Sequence, residues 1–144
     1  KAPVRTFTTF DIGGQAHILA SLTCTPLVKI PVESLKAGGK FRATTVAELG
    51  NHNVPLDMFV YKKDGKSFVL MANSARGVMK IDTTGIDAIE PITAKVGGLT
   101  AGLKYETVAG LTDVKQLDRL NDTMALVLVQ PKDGPMDLKS VDLP

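Results

Sequence analysis

Apolar residues in this chain come in short runs, such as Phe68–Ala72 and Met124–Val129, separated by clusters of Gly, Asn, Asp and Ser. The runs are rich in β-branched or aromatic residues and lack a sustained 3.6-residue period, so they predict strands. The clearest stretch begins at Pro55. Pro55–Tyr61 reads as one strand, Lys63-Asp64-Gly65-Lys66 as a hairpin turn in which Asp-Gly supplies positive φ, and Ser67–Asn73 as a second strand. Ala75-Arg76-Gly77 turns the chain into a third strand, Val78–Asp82, and a fourth is expected around Lys104–Ala109. Upstream, strands are expected near Val4–Ile12, Ala16–Thr23, Leu27–Val32 and Phe41–Leu49, with a turn at Gly13-Gly14. Downstream they are expected near Val114–Leu120, Met124–Gln130 and Met136–Leu143. Between Thr83 and Leu103, Pro91 and Gly97-Gly98 break any regular pattern, which predicts an irregular loop with a strand near Ala94.

These strands repeat. Ile18–Ile30 superposes on Val69–Ile81 without a gap at an offset of 51 residues, which sets Lys29 on Lys80 and Phe10 on Tyr61. A third copy follows at an offset of 57, where Asn121–Leu128 matches Asp64–Met71 and Gly134 and Met136 fall on Gly77 and Met79. Thr45-Val46-Ala47 is echoed by Thr107-Val108-Ala109, and each is followed by Leu-Asp, at Leu56-Asp57 and Leu117-Asp118. A repeat of four short strands per roughly 50 residues is the blade pattern of a β-propeller.

The run Pro55–Ile81 resembles the inner three strands of a propeller blade of the general NHL or YVTN type. The resemblance implies an all-β fold: about two and two-thirds four-stranded antiparallel blades of a larger ring, expected to have about seven. Blades are expected at residues 1–50, 51–112 and 113–144, the last lacking its fourth strand. Too few blades to close a ring implies that the remaining ones lie on a partner chain, a precursor or a symmetry mate. A free-standing β-sandwich of two stacked sheets is the competing architecture.

Composition narrows the function classes. Of 144 residues, 44% are hydrophobic and 22% charged, the balance of an ordinary globular protein. Seventeen basic and fifteen acidic residues are interspersed, leaving +2, so charge supports neither nucleic-acid nor anionic-membrane binding. The apolar runs are far shorter than a helical membrane span. Cys24 is alone, which excludes an intrachain disulfide and a cysteine-rich zinc site. The sequence begins at Lys1 without Met and shows no signal peptide, which fits a processed chain from a periplasmic or secreted protein.

Candidate chemistry is sparse. The loop Gly50–Pro55 carries His52 among Asn51, Asn53 and Asp57, a polar cluster able to bind a ligand, to hold a metal through His52, or to work as acid or base. The same residues also make a good turn, and the recurring Asp57 and Asp118 suit bonds to backbone amides. Asn73 and Arg76 join the ligand-binding candidates, Arg76 as a partner for an acidic group. His17 reads as a satisfied sheet histidine and Cys24 as a small buried residue at a strand end. No catalytic residue and no cofactor is assigned. The expected role is a ligand- or partner-binding scaffold within a larger assembly. The alternative is a share of a metal- or cofactor-dependent oxidoreductase or hydrolase with its site at the channel mouth, and the fold alone does not choose between them.

Overall fold

The computed structural model describes residues 2–24 and 26–144. Among these residues, strands β1 (Val4–Ile12), β2 (Gln15–Leu22), β3 (Pro26–Pro31) and β4 (Thr44–Leu49) pair in sequence, as do β5 (Pro55–Lys63), β6 (Lys66–Asn73) and β7 (Gly77–Asp82). Two short strands follow, β8 (Thr100–Gly102) and β9 (Tyr105–Thr107), and then β10 (Val114–Arg119), β11 (Met124–Val129) and β12 (Asp137–Asp142). The protein is all-β, with three antiparallel sheets of five, four and three strands in the orders β1-β2-β3-β4-β8, β5-β6-β7-β9 and β10-β11-β12.

The 51-residue repeat survives as strand register. Ile18 pairs with Ile30 as Val69 pairs with Ile81, and Leu19 pairs with Lys29 as Leu70 pairs with Lys80. The turns are the ones their residues dictate, since Gly13 and Gly14 have φ of 62° and 79°, and Asp64 and Gly65 have 51° and 74°.

The offset of 57 to the third copy is corrected. In β6, Val69 and Met71 face the first sheet, whereas in β11 Ala125 and Val127 face the second. A shift of 57 would set Val69 on Leu126, on the opposite face; a one-residue slip exchanges the two faces of a strand. Both strands are apolar on each side, so side-chain character alone did not expose the slip.

Three stacked sheets give two internal junctions. Between the first and second, Leu19, Leu27, Val46 and Leu49 pack on Met58, Val69, Met71, Met79 and Ile81. Between the second and third, Phe59, Tyr61, Leu70, Ala72 and Val78 pack on Val114, Leu117, Ala125 and Val127. Thus β6 buries alternate residues in opposite directions, which explains its nearly unbroken apolar sequence. Each fully buried large side chain contributes about 1.5–3 kcal/mol. The first strands of the sheets lie together, with β5 beside both β1 and β10.

The insert departs from expectation. Thr83–Leu99 is irregular, but the strand falls at Thr100–Gly102 and not near Ala94. It leaves the second sheet, pairs with β4 through Leu49↔Thr100 and Ala47↔Gly102, and returns to form β9 against β7. The first sheet therefore has five strands where four were expected. Lys29 fixes the insert by donating from Nζ to the Ile86 and Asp87 carbonyls at 2.7 and 3.1 Å. Gly102 (φ 76°) is required here, because a Cβ would stand 2.1 Å from the Val46 carbonyl oxygen.

Candidate functional site

The loop from β4 to β5 meets the turn from β6 to β7, and this brings Asn53, Asn73 and Arg76 together. Asn53 and Asn73 are buried, with 2% and 6% of their surface exposed. Asn53 donates from Nδ2 to Asn73 Oδ1 at 2.8 Å and accepts the Ala75 N–H at Oδ1 at 3.1 Å; Asn73 Nδ2 donates to the Met71 carbonyl at 3.1 Å. Ser74 and Val54 add two bonds of 2.9 Å between the same segments. The asparagines are thus committed to backbone and to each other, as buried amides require. Arg76 donates from Nη2 to the Asn51 carbonyl at 3.1 Å and lies against Gly50, where a Cβ would stand 2.8 Å from Nη2. Its Nε is buried without a partner among the described residues.

His52 sits on the exposed turn with φ 56°, and no hydrogen bond or ion pair joins it to Asp57 among the described residues. Asp57 belongs to a different contact. Its Oδ1 accepts the Met58 N–H at 3.0 Å, and its Oδ2 accepts the Leu117 N–H at 3.1 Å, so the carboxylate ties the second sheet to the first strand of the third. Asp118 repeats the first half of this arrangement, with Oδ1 accepting the Arg119 N–H at 2.7 Å. It lines an open groove of about 460 Å³ with Asp57, Gln116, Leu126, Leu128 and Leu138.

A second cleft, of about 600 Å³, opens where the three sheets meet, and its lining includes Phe10, His17, Tyr61, Lys62 and Arg119. Strand order, which the sequence did not spell out, is what assembles it. His17 is buried with Nδ1 2.8 Å from the Gln15 carbonyl; that carbonyl can only accept, so Nδ1 carries the proton. Tyr61 donates its hydroxyl to the Pro144 carbonyl at 2.7 Å, and burial, then the Glu106 carboxylate, push its ionisation well above the usual phenol range.

Cys24, expected to be buried, is exposed with φ 67°, because it lies in the turn after β2, where its N–H donates to the Asn53 carbonyl at 3.1 Å. Among the described residues no group of three or more His, Cys, Asp or Glu side chains is placed to hold a metal ion, and no helix is long and apolar enough to cross a membrane. No family model, no curated protein and no solved structure matches the chain.

Proposed function

We propose that this chain is a stretch of β-propeller blades whose role is to bind and hold neighbouring sheets of a larger assembly. One observation carries the reading. The outward side of the first sheet holds Ile18, Ala20, Val28 and Ile30, and a shift of 51 residues sets these on Val69, Met71, Met79 and Ile81, the residues by which the second sheet packs on the first. The outward side of the first sheet is therefore composed like a face that rests on a preceding sheet. At the other end, Leu126, Leu128 and Leu138 stand on the outward side of the third sheet, and Leu138 is 67% exposed. On the first sheet Ala20, Val28 and Ile30 are already buried within the chain, so the exposed apolar side chains at its end of the molecule are those of Val4 and Phe7, 54% and 63% exposed. Exposed apolar residues of this kind mark interaction surfaces.

The grouping of β1, β5 and β10 supports innermost strands set around an axis, and three successive sheets do not fit a two-sheet sandwich. The outer edge of β12 suits a strand supplied by the same partner. Leu143 N–H donates to the Thr123 carbonyl at 2.8 Å, so by the alternation of an antiparallel ladder the amides and carbonyls of Leu138, Ser140 and Asp142 point away from β11.

A crystallographic or cryo-EM structure of the native assembly tests the radial arrangement, expected to show β1, β5 and β10 facing a common axis with further sheets against both ends. Both end faces bare to solvent in the native particle would overturn the scaffold role.

A further inference from the structure

We propose that the cleft where the three sheets meet binds a small polyhydroxylated anion, a sugar-sized carbon chain bearing a carboxylate or phosphate, with Lys62 and Arg119 on the anionic group and His17 accepting from a hydroxyl. Such a site is additional to the scaffold role and independent of it.

Strand register builds the cleft. Phe10 pairs with His17, and both stand on the side of the first sheet that Leu19 turns to the second. From the second sheet, Val60 packs on the same cluster; Lys62 follows two residues on and pairs with Ser67, so both continue that face. Arg119 comes from β10, the neighbour of β5. The cleft thus combines an apolar wall of Phe10 and Val60 with polar groups, and its volume of about 600 Å³ is that of a small-molecule site.

His17 is the informative residue. It is 6% exposed, and its Nδ1–H is spent on the Gln15 carbonyl. In the neutral ring Nε2 is then an acceptor. It has no partner among the described residues, yet it is not sealed in. The buried side-chain N or O atom left unpaired among those residues is Arg76 Nε, so Nε2 opens on the cleft that His17 lines. The fold itself does not call for a histidine here, because the 51-residue repeat sets His17 on Phe68, which packs toward the third sheet from the matching place in β6. A buried ring with one acceptor turned to an open cavity suits a ligand that donates a hydrogen bond.

Charge sets the rest of the ligand. Lys62 makes no hydrogen bond or ion pair among the described residues. Arg119 meets Asp122 at 3.8 Å, but the two side chains are 51% and 95% exposed, and such a pair is readily exchanged for a better partner. Asp11 also lines the cleft; its Oδ1 accepts the Gly14 N–H at 2.9 Å, which leaves Oδ2 for a second hydroxyl. Two cations against one carboxylate favour an anion, and the acceptors on His17 and Asp11 require that the anion also carry donors. A polyhydroxylated acid or phosphate meets both conditions, with its C–H surface on Phe10 and Val60.

Isothermal titration calorimetry with gluconate and with glycerophosphate tests this, the two probes distinguishing a carboxylate from a phosphate as the anionic group. At least one is expected to bind with a Kd of about 1 mM or tighter. Sorbitol, which has hydroxyls without charge, and hexanoate, which has charge without hydroxyls, should bind about 10-fold more weakly. Lys62→Ala and Arg119→Ala should each weaken binding about 10-fold, and so should His17→Phe, which installs the residue that the repeat accepts at this place. In the wild type the nitrogen NMR signal of His17 Nε2 should shift on saturation, a readout that needs no substitution. Failure of both probes to bind at tens of millimolar overturns the site, as does binding that leaves that signal unmoved and survives Lys62→Ala and Arg119→Ala. Hexanoate binding as tightly as the better probe overturns the acceptor role of His17, and sorbitol doing so overturns recognition of an anion.

Discussion

Asn53 and Asn73 share a 2.8 Å hydrogen bond inside the protein, and between them they hold the turn after β6 to the loop before β5. Removing either orphans the other. Asn53→Ala strips Asn73 Oδ1 of its donor and the Ala75 N–H of its acceptor, and a buried group left unpaired costs about 1–3 kcal/mol. We expect a loss of about 2–3 kcal/mol in urea unfolding, and a double-mutant cycle with Asn73→Ala coupled by about 0.5–3 kcal/mol. Additive losses would show that the pair does not act as a unit.

Asp57 bridges two sheets. Asp57→Ala leaves the Leu117 N–H without its acceptor and is expected to destabilise the fold by about 1–3 kcal/mol. Hydrogen exchange checks the location: amides of β10 and β11 should lose protection while those of β2 and β3 keep theirs. Equal loss throughout would place the role of Asp57 elsewhere.

Gly102 separates a backbone effect from side-chain packing. A methyl group there meets the Val46 carbonyl oxygen at 2.1 Å, and neither atom can swing aside, since both belong to paired strands. Gly102→Ala should cost about 2 kcal/mol or more, given the positive φ in addition to the clash. Protease cleavage between Thr83 and Leu103 should rise in parallel, because the insert loses its strand on the first sheet. Resistance equal to wild type would mean that β8 shifts without releasing the insert.

Two carboxylates pull the acid stability of the protein in opposite directions. The Thr84 side chain and backbone N–H, the latter 2.8 Å from Oδ1, hold Asp82 below the usual carboxylate range. Its folded value lies below its unfolded one, so the ion stabilises the fold above the unfolded value and this contribution is lost as pH falls through the depressed one. Burial pushes Glu48 up. Its folded value lies above its unfolded one, so ionised Glu48 costs stability at neutral pH, and the penalty is relieved as pH falls through the raised value. Urea midpoints from about pH 7 down to pH 3, a range spanning ordinary carboxylate titration, should show Asp82→Asn losing stability at neutral pH and Glu48→Gln gaining it. Opposite signs would reverse the assignment.

Much of the fold was legible because turn residues and apolar runs are local signals. Asp64-Gly65 and Gly13-Gly14 fix hairpins whatever lies around them, and the shared register of Ile18 with Ile30 and of Val69 with Ile81 follows from one repeated sequence. What stayed hidden depends on neighbours. Thr100–Gly102 has nothing in its own sequence to mark a strand; β4 makes it one. Met124–Val129 is apolar on both sides, so its sequence does not distinguish two registers one residue apart; the packing of Ala125 and Val127 on the second sheet does. At the candidate site, Asn53 and Asn73 were visible as polar residues, but their mutual bond joins positions 20 residues apart and is a product of the fold. Lys62 and Arg119 carry no local signal of a site, since only the meeting of β5 and β10 sets them on one cleft.

The excursion of β8 also sets an order of rupture. Chain that starts and ends in the second sheet is stitched by its backbone to the first, so prising those two apart must tear a ladder of main-chain bonds. The third sheet, held by side-chain packing, Asp57 and the clasps of Tyr61 and Lys63 on Pro144 and Leu143, has no such seam among the described residues. Under tension or mild denaturant it peels away first, which makes it the most detachable panel of the molecule.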